Sequence, residues 1–167
     1  MQKVIVLGSP GAGKTTFARQ LRDLSGLPLY YLDQIWHKAD RTTVSREEFD
    51  EKLGLLLAQD GWIIDGNYNR TMERRMAACD TVFLLDYPVE VCLAGAAARV
   101  GQVREEMPWM DTELREDLAQ YIRDFPATQL PRVYELAAQY GEGRNIIIFR
   151  SRDEADAWLR LYETNKA

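Results

Sequence analysis

KVIVLGSPGAGKTT, residues 3–16, begins as a strand-like apolar run and passes through a glycine-rich turn into a segment that favours a helix. The octet Gly8-Ser9-Pro10-Gly11-Ala12-Gly13-Lys14-Thr15 fits the pattern G-x-x-x-x-G-K-[ST] in the strand-to-helix context that pattern requires. A chance match somewhere in a chain of this length is on the order of one in a hundred. Glycines let the backbone turn tightly enough for successive N–H groups to point at phosphate oxygens, and the helix start adds its positive dipole end. The reading places the phosphates of ATP against Gly8, Ser9, Pro10, Gly11, Ala12, Gly13, Lys14, Thr15 and Thr16. Lys14 neutralises the β- and γ-phosphates, and the Thr15 hydroxyl ligates Mg²⁺.

Working outward, further apolar runs follow at 27–33, 62–65, 81–86 and 145–150, giving five predicted strands with the first at 3–9. They are continuously apolar, as strands covered on both faces are. Helices are predicted over 14–24, 45–59, 70–78, 88–104, 112–125, 130–140 and 152–163, the second opening with the capping box Ser45-Arg46-Glu47-Glu48. Strands alternating with helices imply parallel pairing through right-handed crossovers, hence a three-layer α/β sheet whose ligands bind beyond the carboxyl ends of the strands. No repeat or low-complexity linker marks a second domain within residues 1–167.

Three of these runs end in an acid: Asp33, Asp65 and Asp86. Parallel strands deliver all three to the edge that carries the glycine-rich loop. Asp65 is the first candidate to hold Mg²⁺, an ion that keeps much of its hydration and takes few direct carboxylates. Asp33 either shares that task or accepts a proton from an acceptor hydroxyl as general base. Asp86 precedes Tyr87-Pro88 and has the alternative of capping the next helix.

GSPGAGKTT together with GWIIDGNYNRT resembles the adenylate kinase superfamily, whose members pair a GxPGxGKxT loop with a later strand ending in Asp-Gly and a nearby arginine. GLPLYYLDQIWH, EEF, WIIDGNYNRT and the segment 79–88 resemble, more narrowly, the bacterial group labelled DNA topology modulation protein FlaR. The resemblance covers the first 90 residues and implies a P-loop NTPase fold, a five-stranded parallel sheet with a short lid at about 100–111, and an ATP- and Mg²⁺-dependent kinase. It implies that Gly66 and Arg70 belong to the acceptor side, with one extra residue between them here, and that Arg99 sits at the base of the lid. Arg104 is the other arginine kept in a lid with fewer arginines than relatives carry. Arginines that close over a moving phosphoryl group stabilise its spreading charge; Arg99 and Arg104 have the alternative of being solvated helix charges.

Gln34-Ile35-Trp36-His37-Lys38 follows Asp33, and Trp36 is read as one wall of the acceptor site or as a loop anchor. Asn67, Tyr68 and Arg70 form the facing wall, and an arginine there suggests an anionic acceptor, a nucleotide or a hydroxy metabolite. The net charge of −5, from 21 Lys+Arg against 26 Asp+Glu, opposes direct nucleic-acid or membrane binding. Cys79 and Cys92 lack any pairing or metal spacing, and Met1-Gln2-Lys3 leads straight into a strand, which together read as a cytoplasmic protein. Two other functions remain open at this point: a nucleotide-responsive regulator of DNA topology, and an ATPase whose acceptor site has decayed. Oligomeric state is open too.

Overall fold

The computed structural model describes residues 1–166. Five strands, β1 (Lys3–Gly8), β2 (Leu29–Tyr31), β3 (Trp62–Asp65), β4 (Thr81–Leu85) and β5 (Asn145–Phe149), form one all-parallel sheet in the order β2-β3-β1-β4-β5. Between and after them run α1 (Lys14–Ser25), α2 (Leu32–Trp36), α3 (Arg46–Leu57), α4 (Asn69–Ala78), α5 (Val89–Ala98), α6 (Glu116–Thr128), α7 (Leu130–Tyr140) and α8 (Arg152–Lys166).

Successive strand side chains point to opposite faces, so the apolar runs feed two cores. Ile5, Leu7, Ile64 and Leu84 join Leu53, Met72, Met76 and Val133, from α3, α4 and α7. Val4, Val6, Ile63 and Phe83 join Phe17, Leu21, Cys92 and Leu159, from α1, α5 and α8. Each large apolar side chain buried in this way contributes roughly 1.5–3 kcal/mol. The expected three-layer P-loop architecture is the one that forms.

The structure departs furthest from the expected boundaries at three places. The run 27–33 pairs only over Leu29–Tyr31, because its sole neighbour β3 ends at Asp65, opposite Tyr31; the chain then coils into α2. Asp33 therefore lies in the first turn of a short helix and not at a strand end. The helix expected over 88–104 stops at Ala98, since Gly101 takes a left-handed φ of 75° and donates its N–H to the Asp111 carbonyl at 2.8 Å. α6 starts at Glu116 instead of 112, leaving 99–115 as an irregular segment across the top of the sheet. At α3 the Ser45 hydroxyl accepts from the Glu48 N–H at 3.1 Å, but the Glu48 carboxylate accepts from Lys52 at 2.7 Å, so one arm of the capping box forms.

Candidate active site

The loop after β1 is held in shape by its neighbours. Gly11 and Gly13 have φ of 80° and 97°, and a Cβ on Gly11 would overlap the Cys92 carbonyl oxygen of α5. A Cβ on Gly95 would in turn overlap the Gly11 carbonyl. Loop and helix thus interlock through two missing side chains. Gly13 is the N-terminal cap of α1 and brings no capping side chain, which leaves the first-turn N–H groups facing the loop interior. Asn67 clamps Gly8 from the other side, accepting from its N–H at 3.2 Å and donating to its carbonyl at 2.8 Å.

Inside the loop, the Lys14 ammonium donates to the Ser9 carbonyl at 3.0 Å. Desolvation lowers its pKa, opposed by Asp65, while Arg99 lowers it further. Asp65 emerges beside Val6 of β1 and accepts from the Thr15 hydroxyl at 2.6 Å through Oδ2; its buried Oδ1 has no partner among the described residues. Burial pushes its carboxyl up to about 6, against the pull of Lys14 and Thr15, with Asp33 and Glu106 adding to the rise. A hydroxyl and a half-satisfied carboxylate beside a ring of loop amides are hard oxygen donors that fit Mg²⁺ held jointly with phosphate oxygens. Among the described residues no three His, Cys, Asp or Glu side chains converge into a metal cage. Mg²⁺ does not need one, since it binds through one or two carboxylates and substrate phosphates.

Asp33 lies across this site. Its Oδ1 accepts from the Tyr68 hydroxyl at 2.7 Å. Burial, and then the Asp33 charge, push the Tyr68 pKa far up, so the phenol remains the donor in this pair. Tyr68 reaches Asp33 from a left-handed backbone, φ 39°, with its ring stacked on Phe49 at 5.4 Å. That bend is supported by Arg75, which sequence reasoning passed over. Its fully buried guanidinium donates to the carbonyls of Gly66, Asn67 and Tyr68. Burial lowers its pKa to about 10. The signal was present in the periodicity: Met72, Arg75 and Met76 share the inner face of α4.

Two cavities open on these groups. One, about 640 Å³, runs from Gly11, Gly13 and Thr16 toward Gly95 and Arg152. The other, about 580 Å³, is bordered by Pro10, Asp33, Asp65, Gly66, Tyr68 and Trp109. Lys14, Thr15, Arg99, Arg104 and Glu106 line both. The Arg99 guanidinium carries no hydrogen bond or ion pair among the described residues, and burial followed by the nearby Arg104 lowers its pKa. Arg104 is engaged, donating to Asp111 at 2.6 Å and to Glu106 at 3.4 Å. Glu106, also missed from sequence, is buried and accepts from Arg19 at 2.9 Å. No motif marks it, because its partners come from α1 and from its own irregular segment.

Other expected groups lie elsewhere. Arg70 is a two-pronged partner of Asp50, at 2.9 and 2.7 Å, outside both cavities. Trp36 packs edge-on against Phe49 at 5.6 Å and lines a smaller pocket of about 310 Å³ with Arg70. Asn67 spends its amide on Gly8 although it borders the cavity that Asp33 and Tyr68 line. Asp86 accepts from Tyr134 at 2.6 Å and from Arg150, and caps no helix.

No protein-family model matches the chain. The adenylate kinases of Thermotoga petrophila and Thermotoga maritima are each 30% identical to it over 97 residues. That stretch is 56% of this chain and 43% of theirs, so the chain matches less than half the length of these curated relatives. Among solved structures, shikimate kinase from Acinetobacter baumannii in complex with shikimate superposes with a TM-score of 0.60 at 22% identity, over 99% of this chain and 96% of that one. The fold is that of the P-loop kinases. Shikimate kinase from Bacteroides thetaiotaomicron gives 0.58 at 17% identity, over 98% of both chains. Among the described residues no helix is long and apolar enough to cross a membrane.

Proposed function

We infer that this protein is an ATP- and Mg²⁺-dependent phosphotransferase, a P-loop kinase that moves the γ-phosphoryl group of ATP to a small-molecule acceptor. The observation that carries this reading is the meeting of two cavities at Lys14 and Arg99, one reached past the glycine loop and the other past Asp33. Its roles are these. Loop amides and Lys14 bind the donor phosphates, and Thr15 and Asp65 hold Mg²⁺, which when bound neutralises charge on the β- and γ-oxygens. Arg99, lacking a partner of its own, stabilises the charge that spreads over the moving group. Asp33 keeps Oδ2 without a hydrogen bond among the described residues while Tyr68 fixes Oδ1, so one oxygen is oriented and available to take a proton. Residues 99–115, with Arg104, act as the lid that shuts water out.

The motif likeness to the FlaR-like group and a cytoplasmic location belong to the same reading; two buried free thiols agree with a reducing compartment. The test is ADP release measured by a coupled assay across monophosphates, sugars, amino alcohols and hydroxy acids, with Lys14→Ala as control. Acceptor-stimulated release that Lys14→Ala abolishes is the expected outcome. Release indifferent to every acceptor would make the protein an ATPase, and absence of ATP binding would end the kinase reading.

A further inference from the structure

Resting on that kinase reading, we propose that the acceptor is a hydroxyl compound without an acidic group, and that one bearing a protonated amine is bound best. In the working enzyme Lys14 and Arg99 face the donor phosphates, and Thr15 and Asp65 face the cation. The ionised side chains then left around the acceptor-side cavity are Asp33, Glu106, Asp111 and Glu113 against Arg104 and Arg115. Both arginines are already answered by carboxylates: Arg104 by Asp111 at 2.6 Å and Glu106 at 3.4 Å, Arg115 by Asp117 at 2.9 Å. Arg70, the residue that made an anion attractive in the sequence, is closed on Asp50 outside the cavity, and Arg75 is committed to backbone carbonyls.

An acid or monophosphate entering here meets surplus carboxylates and gains a guanidinium only by pulling it from an existing partner. Like-charge juxtaposition of this kind rejects ligands more strongly than weak contacts attract them. An ammonium group meets the opposite situation. Glu113 is exposed, carries no ion pair or hydrogen bond among the described residues and lines the cavity. Trp109, which also lines the cavity, is an aromatic face that attracts cations, as the Arg41 guanidinium over its ring at 5.8 Å illustrates. The buried, unpartnered Asp65 Oδ1, which lines the same cavity, belongs to phosphate and metal. The hydroxyl is directed toward Asp33, another of its lining residues.

The transfer balances without a further reactant. The acceptor hydroxyl oxygen forms a bond to the γ-phosphorus as the bond from that phosphorus to the β–γ bridging oxygen breaks. ADP leaves with the electron pair, and the hydroxyl proton passes to Asp33, giving a phosphate monoester.

The experiment compares matched triples on one carbon skeleton, an amine, an uncharged and an acid member, such as glucosamine, glucose and gluconate, with AMP beside them. Binding is read by calorimetry, and turnover as phosphate ester formed from ATP. Amine members should lead by about fivefold or more in Kd and KM, and Glu113→Gln should erase most of that lead with kcat nearly unmoved. Asp111→Asn, which removes one of the two carboxylates that answer Arg104, should move the preference toward the acid members. A profile led by acids or AMP, or one with no advantage for the amines, overturns the proposal. ATP binding and Lys14-dependent ADP release are measured in parallel. Their persistence under an acid-led profile removes only the acceptor class, whereas their absence removes the kinase reading itself.

Discussion

The two walls of the cleft are held by different forces. The glycine loop is fixed by backbone: Gly11 and Gly95 interlock at a distance no side chain permits, Asn67 grips Gly8 from both sides, and α1 starts without a capping side chain. Across from it, residues 99–115 are fastened by side chains, through Arg19 to Glu106 at 2.9 Å, Arg104 to Asp111 at 2.6 Å, and Gln34 to the Glu105 carbonyl at 2.6 Å. Close-packed backbone has no alternative arrangement nearby, while partly exposed ion pairs contribute about 1 kcal/mol or less and exchange readily with water or ligand. A loop built in the first way is preorganised for phosphate before any ligand arrives. A cover built in the second way can release one set of charges to take up another.

The sharpest way to separate the walls is to remove the charge at their meeting point. Lys14→Ala should lower ADP production by about a thousandfold or more while leaving the melting temperature nearly unchanged, since the side chain packs into no core. Asp33→Asn should come next, lowering kcat with a hydroxyl acceptor by about a hundredfold or more with little change in KM. A comparable loss in KM alone would make Asp33 a binding group.

Gly95→Ala attacks the interlock itself. It should cost about 1–3 kcal/mol in denaturant unfolding and weaken ATP binding, because helix and loop cannot both keep their places. Alkali probes the scaffold under both walls. Burial pushes the Cys79 thiol up to about 11 from an ordinary 9.0. At this thiol the folded chain therefore keeps a proton that the unfolded chain loses, so its contribution to stability is full below pH 9 and falls between pH 9 and 11 by about 1 kcal/mol per pH unit. Urea midpoints should fall across that window, and Cys79→Ala should make the slope shallower. The smallest effect belongs to the cover: Asp111→Asn, which weakens a pair whose acid is 42% exposed, should change global stability by about 1 kcal/mol or less yet speed hydrogen exchange across 99–115. Exchange unchanged there would mean that the segment is held by packing, like the loop.

The sheet and the loop were legible in the residues alone. Apolar runs of strand length, alternating with helical stretches, leave few topologies once parallel strands and right-handed crossovers are required, and the glycine-rich octet with Lys14 and Thr15 is contiguous chain whose geometry follows from local backbone freedom. Asp65 was legible for the same reason, as the last residue of a strand whose direction was already known. The pairings came only with the packed layers: over long separations Tyr68 with Asp33, Asn67 with Gly8, Arg70 with Asp50 and Glu106 with Arg19, and nearer in the chain Arg75 with the carbonyls of residues 66–68. A charged side chain in the sequence carries no record of which partner satisfies it. That depends on how the layers stack and where irregular segments cross, and burial makes each such choice binding by penalising every polar group left without one.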